Sequence, residues 1–267
     1  MNVKALIDFK FPIFLIVPIL LAGCTGYQYV ASPRFLPLNE KKGELTANVY
    51  LSGVQVGYAF SNKFSVFATG YQRFPRENVG DFSGGGWVST DQLEAQSSEI
   101  NIGVSYFGRK ENLLYEVLAG GGLGEMNFAA DAESYSFYME ANKWNVFIQP
   151  NFSFKFNKTK INDFVSLGVF AKFNLLQYYN IETELIKNPN YVGSVVDGIE
   201  YFNGRTEAYL FFIEPGVFVK VGRKNFKGTA QIAPVVNLSG HAVRENDISF
   251  NMGFVMKLDL LKRKNKE

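Results

Sequence analysis

The sequence predicts an all-β protein, a single antiparallel up-and-down transmembrane β-barrel of about ten strands, within a range of about 8–12. Three observations predict this fold. Phe, Tyr and Gly are abundant, with 26, 14 and 25 residues among 267, a composition that favours strands and turns over helices. Long segments alternate apolar and polar residues, and the connections between them alternate between short and long.

The chain starts with a segment typical of a bacterial lipoprotein signal peptide. A basic start precedes an apolar run over residues 11–22, which is closed by Leu21-Ala22-Gly23-Cys24. A membrane-spanning helix needs about 20 apolar residues, and this run is shorter and contains two prolines. We therefore predict that residues 1–23 form a cleaved signal peptide and that Cys24, the only cysteine, carries a covalent lipid.

Three further parts follow the signal peptide. Residues 24–43 contain Pro33, Pro37 and a polar run, which predicts an extended, lipid-anchored tether. The barrel is predicted over residues 44–261. The basic residues 262–267 are interpreted as a solvated C-terminal tail, with contact to anionic lipid head groups as the alternative.

Period-two alternation marks the strands. The six clearest segments are residues 99–106, 146–156, 165–175, 211–221, 229–238 and 248–258. A tilted membrane-spanning strand needs about 9–11 residues, whereas soluble strands usually have about 5 or 6. Since every backbone polar group in hydrocarbon must be paired internally, such strands cross a bilayer only as a closed barrel.

The first strand region, residues 44–60, is less regular. It fits two short strands joined at Ser52-Gly53, or one long strand. The two-strand interpretation brings the total to about ten strands, an even number that returns the C-terminus to the periplasmic side.

The connections predict two different ends of the barrel. Short polar turns are expected at residues 61–63, 108–112, 157–162 and 222–227, and long irregular loops at 75–95, 127–142, 179–206 and 239–247. Outer-membrane barrels have short periplasmic turns and longer outward loops. We therefore expect the long loops to face outward.

Alternation by itself leaves the direction of the apolar face open, because a soluble lipocalin-like barrel would turn it inward. The polar face contains charges of both signs and many glycines, which suits a crowded polar lumen with lipid outside. The residues predicted to face the lumen are Glu99, Glu116, Gln149, Lys155, Lys172, Glu214, Lys220 and Lys257. They are expected to form a plug of salt bridges, with a narrow ion pathway as the alternative.

In its lipobox, in residues 37–44 and in the hairpin over residues 54–71, the chain resembles outer-membrane β-barrel lipoproteins of the Bacteroidetes type. The resemblance implies an outer-membrane barrel and no particular activity. Two features differ from this pattern. Leu260-Leu261 and a charged tail follow the last strand in place of a terminal aromatic residue. In addition, no acidic export signal follows Cys24, so the acyl group is expected in the inner leaflet of the outer membrane.

The inventory of reactive side chains argues against catalysis, and no enzyme activity is expected. A Ser-His-Asp arrangement is available only from Ser239, His241 and Asp247, all in one predicted loop, and proximity in a loop does not provide triad geometry. The glycine run 120–124 lacks the context of a phosphate-binding loop, and is expected either to let a strand bend or to fit beneath bulky lumen side chains. With one histidine and no thiol besides Cys24, no metal or other cofactor is expected.

The predicted function is a structural or interaction role at the bacterial outer membrane. The expected partners are outer-membrane lipid and, through the outward loops, an envelope protein or external ligand; a net charge of +2 gives no reason to expect nucleic acid. Residues 179–206, with Tyr191, Tyr201 and Phe202, are the candidate recognition loop, or a loop folded over the barrel mouth. A small pore is the alternative, followed by a lipid-modifying enzyme and a periplasmic ligand-binding barrel.

Overall fold

The computed structural model describes residues 34–36, 39–73, 92–132, 135–157, 163–187, 208–223, 225–239 and 248–261. Within these residues the chain forms β-strands and no helix. The strands are β1 (Glu44–Tyr50), β2 (Gly53–Tyr58), β3 (Phe64–Arg73), β4 (Gln92–Lys110), β5 (Leu113–Ala132), β6 (Tyr135–Asn157), β7 (Asp163–Lys187), β8 (Leu210–Arg223), β9 (Phe226–Pro234), β10 (Val236–Asn237) and β11 (Ile248–Asp259). No helix in this part of the chain is long and apolar enough to cross a bilayer.

From β1 to β9 each strand pairs antiparallel with the next along the chain, β9 pairs with β11, and β11 pairs with β1. The register of β1 with β11 runs from Glu44 opposite Asp259 to Tyr50 opposite Gly253 and closes the sheet. Because β9 and β10 both pair with β8, they are two parts of one barrel strand. The protein is therefore a closed, ten-stranded barrel, which confirms the predicted antiparallel up-and-down topology and the two-strand interpretation of residues 44–60.

The interruption between β9 and β10 has a local cause. The ladder between β8 and β9 ends at Val217 opposite Ile232 and resumes with Ile213 opposite Val236. Between these pairs the register brings Pro215 of β8 opposite the end of β9 at Pro234. Proline has no amide hydrogen, so neither residue can donate to the ladder at this level.

Apolar side chains point out of the barrel and polar side chains point in. On β4, Ile100 and Ile102 are 67% and 66% exposed, whereas Asn101 between them is buried. This is the predicted arrangement, and it is the reverse of a lipocalin, in which the apolar face lines a ligand cavity.

Glycines on β4 and β5 make room for aromatic rings in the lumen. A Cβ atom at Gly103 would collide with the Ala119 carbonyl and the Phe67 ring, and one at Gly120 would lie 3.0 Å from the Phe147 ring. The glycine run in β5 thus lies beneath bulky lumen side chains, as predicted. This close approach explains why glycine occupies these strand positions.

Several strands are longer than predicted. Asn127 and Glu140 form a ladder pair between β5 and β6, so the predicted irregular loop over residues 127–142 is wrong. The strand β7 continues to Lys187 and takes up the first part of the predicted loop 179–206. In these extensions the apolar-out alternation does not continue, because Asn127 and Glu140 are exposed whereas Met126 and Met139 are buried; the pattern typical of a lipid-facing strand is therefore missing there.

The two ends of the barrel differ. At one end, here called the turn end, residues 59–63, 111–112 and 224–225 connect the strands, and β1 begins. At the other, the loop end, strand tops lie at very different levels, because β1 and β2 have 7 and 6 residues whereas β5, β6 and β7 have 20, 23 and 25. The wall is therefore lowest at the hairpin between β1 and β2.

Candidate functional site

The lumen of the barrel contains part of the chain itself. Residues 34–36 and 39–40, here called the lumenal segment, precede β1. Arg34, Phe35 and Leu36 are 1%, 0% and 0% exposed, and Asn39 is 4% exposed. Sequence reasoning assigned these residues to a tether between the lipid and the barrel. The structure shows that the C-terminal part of that tether lies inside the barrel.

Arg34 connects three strands across the lumen. Its guanidinium forms an ion pair with Glu214 of β8 and donates a hydrogen bond of 2.6 Å to Ser249 Oγ of β11. The Gln55 side chain of β2 donates to the Arg34 carbonyl at 3.1 Å. A buried ion pair is favourable only when hydrogen bonds also satisfy the remaining donors and acceptors of its two groups. Here Ser249 Oγ accepts from one further N–H of the guanidinium.

Phe35 packs its ring against the wall formed by β3 to β6. The ring centroid lies 4.5 Å from that of Phe67 and 5.2 Å from that of Phe147, on which it stacks. The carbonyl of Phe35 accepts hydrogen bonds from Gln149 and from Asn151, the latter at 3.1 Å. Gln149, predicted to face the lumen, therefore binds the backbone of the lumenal segment.

Leu36 contacts the opposite wall. It belongs to an apolar cluster with Phe170, Phe218 and Ala233, from β7, β8 and the end of β9. The lumenal segment thus bridges the barrel, with Phe35 on one wall and Leu36 on the other. It therefore occupies the lumen between these two walls.

Glu40 holds the segment at the turn end. Its carboxylate forms ion pairs with Lys155 and with Lys257, the latter at 3.0 Å, and Lys257 also reaches Glu44 at 3.3 Å. Burial alone would raise the pKa of Glu40, but the charges of Lys257 and Lys155 outweigh it and keep this pKa far below its ordinary value.

Two further groups of lumen charges lie next to charges of opposite sign. Lys143 forms a salt bridge of 2.8 Å with Glu99, which also accepts a hydrogen bond of 2.6 Å from Asn101. The register of β7 and β8 places Lys172 opposite Glu214. Such compensation is what buried charges require.

The structure places the eight predicted lumen residues inside the barrel. Glu99, Glu116, Gln149, Lys172, Glu214, Lys220 and Lys257 are buried, and the Lys155 side chain is 10% exposed. Sequence reasoning missed the buried residues Arg34, Lys143 and Lys227, together with Glu40. The period-two pattern could have found Lys143 and Lys227, because they continue the inward faces of β6 and β9 through Asn145 and Thr229.

Most other predicted positions lie outside the described residues: Cys24, the candidate triad members His241 and Asp247, the loop aromatics Tyr191, Tyr201 and Phe202, and the tail 262–267. Ser239 is described, and its hydroxyl donates to Asn237 Oδ1. In the described part, no three His, Cys, Asp or Glu side chains are grouped closely enough to hold a metal ion.

No protein-family model matches the chain, and comparison with curated proteins and with solved structures finds no significant match. The arrangement of residues is therefore the basis for any functional argument. It is a lumen filled by its own N-terminal segment, with charges placed to hold that segment.

The ion pair between Arg34 and Glu214 provides a stability test. The substitution Glu214→Gln leaves the buried guanidinium without its counter-charge, which should cost about 3–5 kcal/mol. We expect a clear fall in the temperature at which the purified protein loses its heat-modifiable gel mobility in detergent. The matched control is Asp259→Asn, which breaks the pair with Lys41, 50% exposed, at a cost of about 1 kcal/mol or less. Equal shifts for both variants would contradict the proposed importance of the buried pair.

Glu40 predicts a pH dependence. Because its folded-state pKa is depressed, the unfolded chain binds this proton first as the pH falls. Its contribution to stability is full above the ordinary carboxyl pKa of 4.5 and is lost progressively below it. In unfolding titrations between about pH 7 and pH 3, Glu40→Gln should be less stable at neutral pH and should lose less stability on acidification. Glu182→Gln, on an exposed part of β7, is the control and should follow the unmodified protein.

Proposed function

We propose that the protein is an outer-membrane β-barrel lipoprotein with a structural or interaction role, whose lumen is closed by its own N-terminal segment. The observation that carries the proposal is the inverted distribution of side chains. Apolar residues such as Ile102, Val169 and Phe254 are more than half exposed on the outside, whereas lysines and glutamates fill the interior. A hydrocarbon surrounding accounts for both faces, since soluble proteins rarely expose apolar surface continuously.

The outer surface supports this placement in a second way. Phe64, Tyr106 and Tyr115 form ring contacts near the turn end, at 5.4 Å and 6.4 Å between centroids. Trp144 and Tyr209 form another on the side of the loop end, at 6.0 Å. Aromatic rings at two levels are typical of the two interfaces of a membrane barrel.

The lumenal segment favours a closed barrel over a small pore. An open ion pathway needs a continuous wet lumen, whereas Phe35 and Leu36 are fully buried against opposite walls. The lumen charges are used to hold the segment and to compensate one another. We therefore assign to the interior the role of stabilising the barrel. Contact with other molecules is assigned to the loop end and the lipid-facing surface.

A soluble ligand-binding barrel and a lipid-modifying enzyme receive less support. A lipocalin-like barrel would need an apolar interior, and the interior here is polar. A lipid-modifying enzyme would use Ser239 as its nucleophile, and the Ser239 hydroxyl donates to Asn237. We retain the structural or interaction role, with the outward loops as the contact surface.

Cell fractionation tests the membrane placement. We expect the protein in the outer-membrane fraction, heat-modifiable on gels, and labelled by a palmitate analogue. Cys24→Ser should lose the label and keep the heat-modifiable fold, because the barrel has its own means of staying in the membrane. Recovery as a soluble, heat-indifferent protein would overturn the proposal and restore the periplasmic ligand-binding barrel.

Conductance in planar bilayers tests the closed lumen. The unmodified protein should be silent, whereas the combined substitution Arg34→Ala, Phe35→Ala and Leu36→Ala should give measurable conductance, because it removes the side chains that bridge the lumen. The control replaces the exposed Lys41 and Lys42 by Ala and should remain silent. Steady conductance by the unmodified protein would favour the pore, and silence of the triple variant would show that these side chains do not close the lumen.

A further inference from the structure

The lowest point of the barrel wall forms a lateral notch. The strands β1 and β2 have 7 and 6 residues, fewer than the about 9–11 that a tilted membrane-spanning strand requires. Their neighbours continue past them. The strand β11 starts at Ile248, several residues before Gly253 reaches the end of β1, and β3 extends beyond Tyr71, which pairs with Gly53. If the barrel spans a bilayer, this gap opens below the top of its apolar band.

A cavity of about 840 Å³ lies at the notch. Its apolar lining comes from the outward-facing side chains Leu51, Ile100 and Leu123, which are 89%, 67% and 64% exposed. Its polar lining includes Glu99 and Glu125. One cavity therefore offers an apolar surface towards the bilayer and carboxylates next to it.

The outer wall changes from apolar to polar across this cavity. Ile100 and Leu123 are paired neighbours on β4 and β5, and two residues further towards the loop end the paired neighbours are Ser98 and Glu125. Glu125 is in turn paired with Asn142 on β6. A step of two residues keeps the same face of the sheet, so these polar residues lie directly above the apolar ones. A lipid lying along the wall would therefore place its acyl chains on the apolar residues and its head group on the polar residues above them.

Tyr50 adds to the polar lining of the cavity. It is 5% exposed, and the Asn48 side chain is the neighbour of its hydroxyl within the wall.

We propose that the notch binds a membrane lipid, with acyl chains against Leu51, Ile100 and Leu123 and an ammonium-bearing head group near Glu125. The head-group class follows from the charges, because the described lining contains two glutamates and no lysine or arginine. Glu99 already pairs with Lys143, so Glu125 is the carboxylate that selects the head group. The proposal rests on the membrane placement proposed above.

Gly70 provides a way to fill the notch. It lines the cavity, and a Cβ atom there would meet nothing closer than Val54 Cγ1 at 4.0 Å. Gly70→Phe therefore adds a ring to the notch without displacing the backbone. Gly228→Phe is the matched control, since Gly228 lies on β9, away from the notch, and its nearest neighbour would be the Val221 carbonyl oxygen at 3.8 Å.

The experiment is native mass spectrometry of the full-length protein reconstituted with phosphatidylethanolamine or phosphatidylglycerol, after heat-modifiability has shown each variant to be folded. We expect one phosphatidylethanolamine bound per chain. In Gly70→Phe the added ring should displace two or more acyl methylene groups from the notch, which should lower the affinity for phosphatidylethanolamine about tenfold. Gly228→Phe should bind this lipid as the unmodified protein does. Glu125→Gln should reduce the preference for phosphatidylethanolamine over phosphatidylglycerol, whereas Glu182→Gln should keep it.

Three results would overturn the inference. Equal binding by the two phenylalanine variants would exclude the notch as the lipid site. A preference for phosphatidylglycerol would exclude recognition of an ammonium head group. Binding that appears only in Cys24→Ser would show that the chain's own acyl group occupies the notch. Each of these results requires a folded membrane barrel, so each differs from failure of the membrane placement, which fractionation detects separately.

Discussion

The pairing of β1 with β11 is the constraint from which the other features follow. It removes both edges of the sheet, so that one face becomes an enclosed interior and the other a continuous outer surface. Charges on the enclosed face have little access to water and must be compensated by other groups of the same chain. The network that includes Glu99, Lys143 and Glu214 meets this requirement. Closure thus explains why Glu99 and Glu214 each lie beside a cation of the same chain.

A ten-stranded barrel leaves more interior space than its inward side chains fill at mid-height, and the lumenal segment occupies it. Arg34 brings a positive charge to Glu214, and Glu40 brings a negative charge to Lys155 and Lys257. Phe35 and Leu36 between them bury apolar groups against glycine-backed aromatic rings. The segment therefore presents a cation, two apolar side chains and a carboxylate in turn, and each faces lumen side chains of matching chemistry.

Strand number, strand pairing and the direction of both faces were predictable from the sequence, because period-two alternation is strong wherever one face is apolar and the other polar. The signal changes towards the loop end, where the exposed residues Asn127 and Glu140 are polar and the buried residues Met126 and Met139 are apolar, which is why the pairing of Asn127 with Glu140 was missed. It also has no means of detecting a segment such as Arg34–Leu36, whose neighbours come from eight different strands.

The lumenal segment joins β1 through only Lys41 to Gly43, and this short connection affects how fully the segment occupies the lumen at equilibrium. A group tethered so closely to its binding site has an effective concentration in the millimolar range or above. Contacts that would be weak between separate molecules are then enough to keep the lumen occupied almost all of the time. Any external molecule that enters the barrel from the loop end must compete with this internal occupant. The short connection to β1 therefore reduces binding of weak external ligands in the lumen as much as the individual contacts do.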